Sequence, residues 1–151
     1  MLPSPNRRAR ESEERFADGE TIVREGEHGR EMYVIQSGRV EITKRIGGEE
    51  VQLAVLEKGD FFGEMGLLES LPRDANARAI GPTSLLVINA GGLLVRIRRD
   101  PTFAFEMLHR LSGRIRQLNK RLADEHAERD ASVSAADASL LYGGGEGGED
   151  S

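Results

Sequence analysis

Residues 59–79, GDFFGEMGLLESLPRDANARA, decide how this chain is read. The stretch is too rich in glycine for an ordinary strand and too irregular for a long helix, yet it sets two ionisable residues, Glu64 and Arg73, in apolar company. A glycine turn exposes backbone N–H groups, and an arginine fork matches two oxygens of one phosphate, so Gly63 and Arg73 supply the parts of a phosphate cradle. A carboxylate repels phosphate but accepts hydrogen bonds from a sugar hydroxyl, a role open to Glu64 beside the cradle. Together these suggest a nucleotide, although the same two residues also suit a buried structural ion pair. Phe61, Phe62, Met65, Leu67, Leu68 and Leu71 fit either a pocket wall or the core around it.

Upstream, glycines at positions 19, 26, 29, 38, 47 and 48 punctuate short segments of β-branched and alternating residues: TIV, EMYVIQ, RVEITKRI and VQLAVLE. NARAI and TSLLVIN continue the pattern after residue 75. Many short strands between turn signals imply a mainly β fold, a sandwich, jelly roll or barrel. MYVI and VEI, separated by QSGR, read as a hairpin with Gly38 at its tight position, and a second hairpin runs through Gly47 and Gly48. Before Phe16, residues 1–14 form a polar lead-in in which Ser12 and the glutamates after it are expected to make one or two helical turns.

Downstream of Asn89 the period becomes helical, with Asp100 and Pro101 as N-cap and first residue of a long helix. Leu108, Leu111, Ile115, Leu118 and Leu122 repeat at spacings of three and four. That stripe suits either burial on the chain's own β-domain or a homodimer seam. Residues 123–151 are acidic, and from Ala131 onward small and glycine-rich, so a largely disordered tail is expected.

Composition narrows the function. With 151 residues the chain suits one domain with polar tails. There are no cysteines, which removes disulfides and thiolate chemistry and favours a reducing cytoplasm. The longest apolar stretch, LLVINAGGLLV, is far below the roughly 20 residues a membrane span needs, and the N-terminus lacks an apolar signal region. A net charge of −5 and an acidic end disfavour nucleic acid, and the arginines of the long helix are spread around its surface. His28, His109 and His126 are scattered, so no metal is expected, and no nucleophile or phosphoryl-transfer motif is present. The expectation is a non-enzyme.

Two segments, FADGETIVREGEHGREMYVIQSGRVEI (16–42) and the opening stretch with its FGE, paired leucines and PR, stand in order ahead of the long helix. This arrangement, from Phe16 to about Leu122, resembles the cyclic nucleotide-binding domain of bacterial catabolite activators, cyclic-AMP-dependent kinase regulatory subunits and cyclic-nucleotide-gated channels. The resemblance implies one domain over residues 15–122, made of a jelly roll (double-stranded β-helix) with flanking helices, a short phosphate-cassette helix, and a long C-terminal helix that closes over the base. It also implies a cyclic AMP or cyclic GMP ligand contacted by Gly63, Glu64, Met65, Arg73, Asp74 and Ala75, with Gly63 offering backbone, Glu64 taking the ribose hydroxyl and Arg73 the phosphate. The chain would be a sensor module acting through an unidentified effector protein. No DNA-reading module follows the helix, so no nucleic-acid partner is expected.

Two positions depart from the family pattern. Asp74 stands where a small residue usually follows the arginine, and Asn76 where serine or threonine is common. An Asp74 carboxylate about 4 Å from the phosphate would cost about 1 kcal/mol if hydrated and about 4 kcal/mol if partly buried. The alternative reading is therefore a jelly-roll interaction module that has lost its nucleotide. Asp74 could also turn outward or pair with Arg73 or Arg78.

Overall fold

The computed structural model describes residues 10–142, with side chains described as far as residue 131. It divides into two compact units at Ala104 and Phe105. The elements are β1 (Glu11–Phe16), β2 (Thr21–Val23), β3 (Met32–Ile46), β4 (Glu49–Leu56), β5 (Phe61–Phe62), α1 (Glu64–Glu69), β6 (Asn76–Ile88), α2 (Ala90–Arg99) and α3 (Pro101–Tyr142).

The first unit is an antiparallel jelly roll built on two long strands, β3 and β6, which pair with each other from Met32↔Ile88 to Thr43↔Asn76. Each long strand serves two neighbours. The first half of β3 pairs with β5 and its second half with β4, whereas β6 pairs first with β2 and then with β1. The register between β3 and β6 slips between Ile35 and Ser37 and again between Ser37 and Arg39. There Gly38 has φ 85°.

This bulge corrects the expected MYVI/VEI hairpin: the two segments are halves of one 15-residue strand. The left-handed conformation at Gly38 is used to bend β3 and not to reverse it. Glycine is needed there twice over, because a Cβ would also stand 2.5 Å from the Pro82 carbonyl oxygen and the Thr83 hydroxyl. Keeping both halves on β6 puts Ile35 and Val40 into one core cluster with Phe62, Ala77 and Leu85. Each large buried side chain contributes roughly 1.5–3 kcal/mol over exposure. The expected Gly47–Gly48 hairpin is present, with Ile46 paired to Glu49 and both glycines at positive φ.

Two further expectations differ from the structure. Residues Glu11–Phe16 form strand β1, laid along Thr83–Ile88, and not helical turns. Glutamates favour helix only weakly, and the ladder offered by β6 outweighs them, while exposed Glu13, Glu14 and Arg15 suit a strand at a sheet edge. At the other end, helix α3 begins at Pro101 as expected but continues to Tyr142, past Ala131. Alanines at 131, 135, 136 and 138 are strong helix formers, and no glycine or proline intervenes before residue 143. Residues 143–151 of the expected tail, like 1–9 of the lead-in, lie outside the described residues. In the second unit Leu108, Ile115, Leu118 and Leu122 are exposed and Leu111 is half-buried.

Helix α2 is tied to β1. Asn89 caps it by accepting from the Gly92 N–H at 2.8 Å, and Arg96 forks onto Glu11 with Nε–Oε2 of 2.6 Å and Nη2–Oε1 of 2.7 Å. The Arg96 guanidinium also lies 5.2 Å from the Phe103 ring centroid, in the first turn of α3. The hydrogen bonds from Arg96 outweigh partial burial and hold the Glu11 carboxyl below its ordinary 4.5. A carboxyl depressed on folding adds stability above its unfolded pKa and loses it as pH falls through the folded value. Glu11→Gln is therefore expected to cost about 1–2 kcal/mol near neutrality. The difference in melting temperature from wild type should shrink as pH falls below the ordinary carboxyl range, and a difference that does not change with pH would rule out the ion pair as its source.

Candidate functional site

The cassette hangs from a buried anchor. Phe61 and Phe62 pair with Val34 and Tyr33 and are almost wholly buried. Gly63 follows at φ 84°, ψ 5°, a left-handed turn that starts α1 without a side-chain cap. Six residues are too few to hold a helix on their own, so α1 depends on packing. Its buried residue is Gly66, so close to the loop before β3 that a Cβ would collide with the Gly29 carbonyl oxygen. Ser70 ends the helix at φ 57°, its N–H donating to the Gly66 carbonyl.

Arg73 is then fixed at both main-chain groups. Its N–H donates to the Glu27 carbonyl at 2.8 Å, and its own carbonyl accepts from the Gly26 N–H at 2.7 Å. The side chain runs inward and is only 5% exposed. Nη1 donates to the carbonyl of Glu31 at 2.9 Å and to that of Gly63 at 3.2 Å. Nη2 lies 3.6 Å from Glu31 Oε1.

Three glycines wrap the guanidinium. A Cβ at Gly63 or Gly66 would come within 2.9 Å of Nη1, and one at Gly29 within 2.8 Å of Cζ. The Tyr33 ring lies 5.7 Å below it, stacked in turn on Phe62 at 4.9 Å and 11°. Burial pushes the Tyr33 hydroxyl above its ordinary value despite the nearby Arg73 charge, so the ring stays neutral. A cation this far from water is tolerable only because carbonyls, a carboxylate and a π-face surround it.

The structure thus brings Gly63 and Arg73 into contact, with Glu64 half-buried as the first residue of α1. Met65 is 43% exposed. Asp74 is exposed and Ala75 half-buried. The pairings open to Asp74 are taken by others: Arg73 faces Glu31, and Arg78 binds Glu41 at 2.7 Å. It is the Asp74 carbonyl that is engaged, accepting from Lys44 Nζ at 2.6 Å. Lys44 also pairs with Glu25 at 3.2 Å. The Arg45 N–H and then Lys44 hold that carboxylate's pKa below its ordinary range. Asn76 is a strut: its Oδ1 accepts from the Glu25 N–H at 2.8 Å, and Nδ2 lies 3.4 Å from the Thr43 hydroxyl.

Sequence reasoning missed Glu31, Tyr33, Gly29 and Gly66 as neighbours of Arg73. The glycines stood in view as turn signals, but nothing local marks Glu31, which meets Arg73 across 42 positions. Among the described residues no cluster of three His, Asp or Glu could hold a metal ion, and no helix is long and apolar enough to cross a membrane.

Residues 13–100 match the family model of the cyclic nucleotide-binding domain. The chain belongs to the cyclic nucleotide-binding domain family. It is 35% identical over 108 residues to the cyclic AMP receptor protein of Thermus thermophilus, covering 71% of this chain and 50% of that protein. It is 32% identical over 139 residues to the cAMP-dependent protein kinase regulatory subunit of Mycosarcoma maydis, covering 87% of this chain and 25% of that one. The crystal structure of the Thermus thermophilus catabolite activator protein superposes with a TM-score of 0.70 at 33% identity, over 89% of this chain and 64% of that one. The chain therefore spans half or less of the length of these two curated relatives. Within the family fold, residues 59–79 are the stretch between β4 and the body of β6, and Arg73 is its buried cation.

Proposed function

We propose that this chain is a cyclic-nucleotide sensor module. Its ligand is cyclic AMP or cyclic GMP, with the phosphate on Arg73 and the Gly63 turn and the ribose hydroxyl on Glu64. Met65, Asp74 and Ala75 complete the contact set. The module works by binding and not by catalysis, and it passes occupancy through α3 to a protein partner. That partner is an effector or a second copy joined through Leu108, Leu111, Ile115, Leu118 and Leu122.

The observation that carries this reading is Arg73 itself. Its side chain is 5% exposed and its guanidinium is lined by three glycines at the turn that starts α1. A withdrawn cation flanked by three glycines, with no Cβ on that side, suits close approach by an anion that brings its own oxygens. The names of the two curated relatives make cyclic AMP the first ligand to try.

Calorimetric titration of the purified protein with cyclic AMP and cyclic GMP tests the proposal, and a dissociation constant of about micromolar order is expected. Because Asp74 is exposed, its charge acts through water, so Asp74→Ala should tighten binding by no more than about fivefold. Silence in the wild type with binding in Asp74→Ala would instead mean a cassette switched off and a jelly roll kept as an interaction module.

A further inference from the structure

The three contacts of the Arg73 guanidinium with Glu31 and Gly63 differ in kind. The two Nη1 contacts, at 2.9 and 3.2 Å, are hydrogen bonds to backbone carbonyls and cannot leave without moving the chain. The third, Nη2 to Glu31 Oε1 at 3.6 Å, is longer than a hydrogen bond and is a charge contact alone. The two partners also sit differently in water: the Arg73 side chain is 5% exposed and that of Glu31 is 46% exposed. Rotation about the side-chain bonds of Glu31 swings its carboxylate into solvent while its carbonyl stays on Nη1. Arg73, held by Glu27 and Gly26 at its main chain, cannot follow.

We infer that Glu31 is the exchangeable counter-ion of Arg73, an internal competitor that a ligand's phosphate must displace and that sets the affinity of the site. The inference rests on the cyclic-nucleotide reading above. In the empty site the charges of Arg73 and Glu31 cancel, and an incoming monoanionic phosphate meets full attraction only once the carboxylate has turned away. One residue thus holds the arginine in place through its carbonyl and opposes the ligand through its side chain. Glu31→Gln removes the second effect and leaves the first.

The experiment titrates wild type, Glu31→Gln and Glu31→Ala with cyclic AMP and cyclic GMP, and measures thermal unfolding of each ligand-free protein. Both variants should bind roughly fivefold more tightly, the scale of a half-exposed ion pair. Both should also melt slightly lower without ligand. A purely structural residue would weaken both properties together, so the opposite signs are the diagnostic. Binding only in the Glu31 variants is the same result in stronger form. Wild-type binding that the variants leave unchanged or weaken overturns the counter-ion role while the sensor reading stands. No binding in any of the three proteins overturns both.

Discussion

Arg73→Ala is expected to weaken cyclic-nucleotide binding by at least about thirtyfold. Truncating one partner of a buried, hydrogen-bonded charge pair costs about 2–5 kcal/mol, which is about thirtyfold to a few thousandfold in affinity and carries a micromolar site to tens of micromolar at the least and to millimolar at the most. The same change should destabilise the empty protein. It strips Nη1 from the Glu31 and Gly63 carbonyls; Gly63 keeps the Leu67 N–H at 3.3 Å, but the loss at the part-buried Glu31 acceptor costs up to about 1–3 kcal/mol. It also leaves a gap among three glycines that have no side chains to fill it. Arg73→Lys separates the two effects: the charge survives, but a single ammonium cannot span both carbonyls and still present a fork to phosphate. It should keep more of the stability than of the affinity. Titration and thermal unfolding of both variants decide the matter, and unaltered nucleotide affinity in Arg73→Ala would remove this arginine from the ligand site.

How far the sequence could be read follows from which signals are local. Gly47–Gly48 between β-branched residues demands positive φ twice in succession, and only a tight hairpin uses that, so the turn was legible. Gly38 demands positive φ once, which a hairpin and a bulge both satisfy. The choice between them lies with the Pro82 and Thr83 backbone some 45 residues away. The strand at Glu11–Phe16 was hidden for the same reason, since its charged residues are ordinary on a sheet edge only once β6 is there to pair with. In the site, Gly63, Glu64 and Arg73 share one short segment, so their nearness could be read from residues 59–79. The burial of Arg73 could not, because the groups that make it tolerable come from Glu31, just before β3, and Tyr33 within it.

Gly66→Ala should show how tightly the cassette is seated. On intrinsic propensity alone the change would favour α1 by up to about 1 kcal/mol, since glycine is the poorest helix former after proline. Packing opposes it. The new Cβ would collide with the Gly29 carbonyl oxygen and stand 2.9 Å from Arg73 Nη1. A backbone oxygen cannot rotate aside, and Arg73 is pinned through Glu27 and Gly26, so α1 has to back away as a whole. Overpacking of this kind costs about 1–3 kcal/mol, which outweighs the propensity gain. The retreat also separates the Gly63 turn from the guanidinium, so nucleotide affinity should fall by about tenfold or more, the scale set by 1.4 kcal/mol of lost positioning. Gly113→Ala in α3 is the comparison: its Cβ would meet only Arg116 Nη2 at 3.6 Å, so propensity acts unopposed and the melting temperature should rise. If Gly66→Ala behaved like Gly113→Ala, stabilising the protein with its affinity intact, the glycine would be a packing accident. The phosphate would then have to be held by Arg73 without any demand on where α1 begins.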